Sequence, residues 1–203
     1  MTFRNTTACA AMLCLLFAPA KLVAQQRNLL DVRDHVLDLI FPLNVESKPY
    51  FLKIILRFDS DASQLALVVY PGGESEIVRS TLDSMNARDL LQLVSKTLTE
   101  NPHINEEEIV AKVKVRTTRF PTQYKTMEPI LNDLRSIRIS PFLNTRIGLD
   151  EVTWCDFWFD TGGQESVHYK VLGNSTLGDA QDSLARWMTR FRATCEGLVN
   201  RKS

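Results

Sequence analysis

Residues 152–171, VTWCDFWFDTGGQESVHYKV, constrain the fold more than any other part of the chain. Apolar and polar side chains alternate on both sides of Thr161-Gly162-Gly163, the pattern of two strands joined by a tight turn. Neighbouring side chains of a strand point to opposite faces, so the turn length decides which residues meet. A two-residue Gly162-Gly163 turn would pair Phe157 with His168. It would put Cys155 on one face with Ser166, His168 and Lys170, the starting arrangement of a thiol nucleophile and its base.

A three-residue turn, Thr161-Gly162-Gly163, instead pairs Asp160 with Gln164, Cys155 with Tyr169 and Phe157 with Val167. One face then reads Cys155, Phe157, Phe159, Val167, Tyr169, Val171. The other reads Trp154, Asp156, Trp158, Ser166, His168, Lys170, with His168 opposite Asp156 and Trp154 opposite Lys170. Apolar and polar residues separate almost completely in this register, and burial of one face selects it. A glycine in the left-handed conformation suits such a turn.

The flanking sequence supplies the other elements. Residues 28–40 carry Leu29, Val32, Val36 and Ile40 at helical spacing, with Asn28 as cap and Pro42 beyond the end. Residues 50–59 alternate, with Tyr50, Leu52, Ile54, Leu56 and Phe58 on one face and Lys53, Arg57 and Asp59 on the other, which predicts a half-buried strand. QLALVVYP is apolar on both faces and reads as a central strand, and SEIVRSTL as a third. A helix is expected over 87–100, capped by Asn86 with Asp89 three residues on. EIVAKVKVRT predicts a strand with Ile109, Ala111, Val113 and Val115 on one side and a basic row of Lys112, Lys114 and Arg116 on the other, extended by Arg119. TMEPILNDLRSI predicts a short helix with Pro129 in its first turn, and 139–150 a loop. A last helix from about Leu177, capped by Thr176, would turn Leu177, Leu184, Met188, Phe191, Cys195 and Leu198 inward.

The order α-βββ-α-β-α-ββ-α is that of an α+β fold: a mainly antiparallel sheet of about six strands with helices packed on one face. The likeness of ILRFDSDASQLALVV to DFWFDTGGQESVHYKV raises a ββα pseudo-repeat as an arrangement. With 44% hydrophobic residues the chain can fill an ordinary core.

The first residues, MTFRNTTACAAMLCLLFAPAKLVAQQ, set Arg4 before an apolar run and two small-residue cleavage sites, after Ala24 or after Ala20. They read as a secretory signal peptide over 1–24, leaving 25–203 as one α+β domain that is secreted or periplasmic. The apolar run is shorter than the roughly 20 residues a membrane span needs. Removal of the peptide takes Cys9 and Cys14 with it and leaves Cys155 and Cys195. An even pair in an exported chain predicts a disulfide, worth about 4 kcal/mol for so long a loop.

Lys plus Arg equals Asp plus Glu, 24 each, so no overall basic field argues for nucleic acid. No phosphate loop, nucleophile elbow, zinc motif or other cofactor signature occurs, so neither cofactor nor metal is expected. His35 among Asp31, Asp34 and Asp38 has the look of a charged outer helix face rather than a metal site. Asn174-Ser175-Thr176 is a glycosylation acceptor in a eukaryotic setting.

The polar hairpin face is therefore the candidate site: Trp154, Asp156, Trp158, His168 and Lys170 would bind a protein, peptide or glycan by stacking and hydrogen bonding. A hydrolase built on Asp156 and His168 is the alternative. So is an envelope protein that forms homodimers through Trp154 and Trp158, and cover by another part of the chain would account for the same pattern.

Overall fold

The structure, a computed structural model, describes residues 28–137, 153–162, 166–172 and 179–201. The leader, the loop expected at 139–150, the acceptor Asn174-Ser175-Thr176 and the Thr176 cap with Leu177 lie outside the described residues.

Six strands of the described residues form one antiparallel sheet: β1 Leu52–Phe58, β2 Ser63–Val69, β3 Glu74–Leu82, β4 Val115–Gln123, β5 Thr153–Asp160 and β6 Ser166–Leu172. Their spatial order is β4-β3-β2-β1-β5-β6, with every neighbouring pair antiparallel. Among the described residues five helices accompany them: α1 Leu29–Ile40, α2 Ala87–Glu100, α3 Glu106–Val110, α4 Tyr124–Arg135 and α5 Asp179–Asn200. The α+β class is that of the sequence pattern.

One sheet face presents Leu52, Ile54, Leu56, Phe58, Leu65, Leu67, Val69, Ile77, Cys155 and Phe157, and α4 and α5 cover it. Helix α5 inserts Leu184, Met188, Phe191 and Cys195 as its spacing implies, with Leu198 partly buried. Trp187, the third tryptophan, is the largest fully buried side chain among the described residues, and its indole N–H donates to Ile130 O on α4 at 2.6 Å. Helices α1, α2 and α3 gather apart from α4 and α5, packing with Ala62, Leu82 and Val115 at the strand ends.

The second face is also covered. The segment 41–50 crosses it as a strap, its Val45 packing with Ile55, Ala66, Val68, Tyr70 and Val78. Three side chains of the sheet hold three strap carbonyls: Arg57 Nη2 donates to Phe41 O (3.2 Å), Gln64 Nε2 to Pro42 O (3.1 Å) and Arg119 Nη2 to Val45 O (2.6 Å). Strand β1 is consequently buried along its whole length, not half-buried, and Lys53, Arg57 and Asp59 lie inside with it. Period-two patterning reports polarity; what lies across a face depends on the strap, which carries no periodic signal of its own.

Local rules correct two further expectations. Residues 108–117 are not one strand. Asn105 accepts from Glu107 N, and Glu106, Glu107 and Glu108 crowd the first turn of α3, where carboxylates favour a helix start. The strand begins only at Val115, and the basic row is broken: Lys112 falls in the turn after α3, Arg116 pairs with Asp83 at 2.8 Å, and Arg119 pairs with Glu76 at 2.8 Å. Pro129 sits inside α4 rather than in its first turn, because the helix begins at Tyr124. The Asn86–Asp89 capping box of α2 forms in both directions.

Candidate functional site

In the hairpin Asp160 pairs with Ser166, Phe159 with Val167, Trp158 with His168, Phe157 with Tyr169, Asp156 with Lys170 and Cys155 with Val171. The connection therefore spans 161–165 and is two residues longer than the three-residue turn, so each expected pair from Cys155 to Asp160 is displaced by two, and Lys170 faces Asp156 rather than Trp154. Both loops are odd in length. The two faces are unchanged: Cys155 and Phe157 enter the core beneath α5, while Asp156, Trp158 and His168 share the other side. The register slips between Thr153 and Cys155, which places a bulge at Trp154. The side chains of Trp154 and Lys170 lie outside the described residues.

Gly162 closes the start of the turn with φ 63°, and a Cβ there would stand 2.9 Å from Tyr50 O. The glycine thus brings the hairpin tip against the end of the strap. Tyr50 continues this contact, its hydroxyl donating to Asp160 at 2.8 Å. Burial, with that hydrogen bond, pushes the Tyr50 phenol above its usual range.

Three members of the expected site meet directly. His168 Nε2 donates to Asp156 Oδ1 at 3.1 Å, diagonally across the strand pair. The imidazole stacks on Trp158 with centroids 4.5 Å apart and planes 6° from parallel. Asp156 is 8% exposed at its side chain and His168 43%, so the acid is a buried anchor and the imidazole is the group offered to solvent. With Nε2–H committed to Asp156, the other ring nitrogen, Nδ1, is left for a further partner.

Beneath this lies a residue that sequence reading placed on a solvent face. Arg57, only 3% exposed, is the cross-strand partner of Asp156 and holds its guanidinium 4.7 Å from the Trp158 ring centre. It also pairs with Asp38 of α1 and binds Phe41 O. Asp38 is thus committed to Arg57 rather than to a metal beside His35. From Asp156 a polar row runs across the sheet through successive cross-strand partners Arg57, Gln64, Ser80 and Thr117, ending in a 2.9 Å hydroxyl pair. The signal for Arg57 was its place beside four apolar strand residues, which a long side chain with a buried stem tolerates only when its head finds partners.

Trp158 is therefore not an open platform. Its ring is partly buried, held by Arg57 and His168 and packed near the Val45 and Tyr50 cluster. Cys155 faces the opposite way, is buried, and donates to Asp156 O at 3.4 Å. The imidazole is hydrogen-bonded to Asp156 and, among the described residues, to no hydroxyl or thiol. Cys155 and Cys195 are both buried free thiols within one core cluster, and burial pushes both well above the usual thiol range.

Comparison with protein families, with curated proteins and with solved structures finds no match to this chain. Among the described residues no helix is long and apolar enough to cross a membrane.

Proposed function

We propose that this is an exported, non-catalytic binding or scaffolding protein whose contact surface is the solvent side of the His168–Trp158 stack. The observation that carries this reading is the contrast within one cluster: an exposed imidazole fixed by a buried carboxylate and a stacked indole. Side chains pre-ordered in this way lose little freedom on contact, which favours binding. His168 lies on β6, the last strand of the described sheet, so an extended peptide is the ligand class best matched to it.

The test is selection from a displayed random-peptide library, with a glycan array in parallel. Peptides should be enriched whose affinity falls at least tenfold in His168→Ala. Enrichment of glycans alone, or peptides indifferent to His168→Ala, overturns the peptide reading. The leader part of the reading requires the exported chain to begin at Gln25, or at Lys21 for the earlier cleavage site.

The same compartment would let Cys155 and Cys195 form a disulfide, two thiols losing two protons and two electrons to a disulfide-bearing oxidant. Their shared core supports the pairing, and their burial requires oxidation before that core closes. Mass spectrometry of the secreted protein would show a loss of about 2 Da relative to the reduced chain. The hydrogen-bonded Asp156–His168 pair favours a hydrolase as the second reading, in which His168→Ala would abolish turnover of a fluorogenic ester or peptide panel.

A further inference from the structure

A second site lies on other strands of the sheet, where the β2–β3 turn meets the head of α4. A groove of about 790 Å³ opens there, lined by Lys48, Gly73, Ser75, Gln123, Tyr124 and Lys125 among others. Its size suits a small molecule.

Helix α4 enters this groove without a side-chain cap. Gln123 stands at the cap position and makes no capping hydrogen bond, and the first turn holds no acid. Tyr124 N–H is used by Gly73 O at 3.0 Å. The next two N–H groups, of Lys125 and Thr126, point along the axis of a helix of 12 residues, whose N-terminal end carries partial positive charge. Lys125 adds a full charge in the same turn, and it makes no ion pair among the described residues.

An independent feature of the groove asks for a ligand. Ser75 is 4% exposed, lines the groove, and its Oγ has no hydrogen-bond partner among the described residues. A buried hydroxyl left unpaired is costly, so its partner is to be sought in what the groove holds. The nearby acids are already neutralised: Glu74 by Lys48 at 2.5 Å, and Glu76 by Arg119 at 2.8 Å and by the Tyr70 hydroxyl. The charge left uncompensated is positive.

We infer that this groove binds an oxyanion, a carboxylate or phosphate group carried by a small molecule, on the first-turn N–H groups of α4, Lys125 and the Ser75 hydroxyl. Gly72 and Gly73 at its rim leave the backbone open to approach, since a Cβ at either would meet nothing within 4 Å. This site shares no residue with the hairpin face, so it stands or falls separately from the peptide reading.

The test is titration of the isotopically labelled mature chain at pH 7.5 with sodium phosphate and, separately, with sodium acetate, each against sodium chloride at equal ionic strength. Backbone amide resonances of Lys125, Thr126 and Gly73 should shift saturably with one or both probes, and the stronger probe identifies the preferred oxyanion. Lys125→Met and Ser75→Ala should each raise the half-saturating concentration at least fivefold, while Lys96→Met on exposed α2 should leave it unchanged. Ser75→Ala removes a hydroxyl without a partner, so the variant keeps its fold, checked by circular dichroism. Shifts spread over the exposed lysines, shifts that track ionic strength alone, or half-saturation indifferent to either variant would overturn the assignment.

Discussion

Arg57→Met is the sharpest probe of how the strap, α1 and the hairpin are joined. Methionine keeps most of the buried stem and deletes the guanidinium. The Phe41 carbonyl then loses its donor, at about 1–3 kcal/mol for an unsatisfied buried group. Loss of the desolvated contact with Trp158 adds about 1–2 kcal/mol. The Asp38 pair adds little, since Asp38 is 59% exposed and exposed pairs are worth about 0–1 kcal/mol. Relief of the cost of burying a cation offsets part of the sum, leaving a destabilisation of about 3 kcal/mol. For a urea slope of about 2 kcal/mol per M this lowers the unfolding midpoint by roughly 1.5 M. Arg57→Lys, which keeps the charge and loses the fork, should fall between Arg57→Met and the parent; Asp38→Asn should cost below about 1 kcal/mol. Urea unfolding followed by far-ultraviolet circular dichroism measures all three. A midpoint for Arg57→Met within about 0.3 M of the parent would refute the clamp. An Asp38→Asn loss equal to that of Arg57→Met would place the energy in the ion pair instead.

Three other outcomes follow from the same packing. Trp187→Phe empties part of the core beneath α5 and strips Ile130 O of its donor, for a loss of about 3 kcal/mol by thermal or urea unfolding; a loss below about 1 kcal/mol would show that the indole N–H contributes nothing. Gly162→Ala meets Tyr50 O and a left-handed backbone together, so it should cost about 1–2 kcal/mol, whereas Gly197→Ala in α5 has open space and helical geometry and should stabilise slightly. In the reduced protein both thiols have their pKa raised by burial above the unfolded value, so they bind more protons folded than unfolded at high pH. Their stabilisation is complete below the unfolded thiol range and is lost as pH rises above about 9, at roughly 1.4 kcal/mol per pH unit for each thiol; Cys195→Ala should halve that slope, and a pH-independent midpoint between pH 8.5 and 10 would contradict the burial.

Much of this arrangement could be read from the residues because it depends on parity and caps. The two hairpin faces needed only an odd connection, so they survived a displacement of two in every pair from Cys155 to Asp160. Asn28 and Asn86 marked helix starts through side-chain geometry that acts within three residues. The strand expected at 108–117 failed because four alternating apolar positions are a weak signal, outweighed by Asn105 and the glutamates behind it. Trp187 went unread because its neighbour Met188 already filled the inward stripe, while Leu184 three residues before it was the cue. Of the candidate site, the Asp156–His168 contact was legible and Arg57 was not. Its burial is decided by the strap, and no local pattern announces where a non-periodic segment will lie.

The central position of β1 has a consequence for how the chain must be made. Its partner on one side is β2, a few residues away, but on the other it is β5, with Ile55 paired to Trp158 more than one hundred residues later. During synthesis β1 through β4 can assemble in order, leaving LKIILRF as the growing sheet's outermost strand. Five of its seven residues are apolar and it holds no proline, so with Lys53 and Arg57 as its only charges it is an adhesive edge until β5 pairs with it. Such high contact order makes completion slow, and any chain cut short before residue 153 would display this edge permanently. Truncation products should therefore aggregate through β1, whereas the full-length chain hides it under the hairpin.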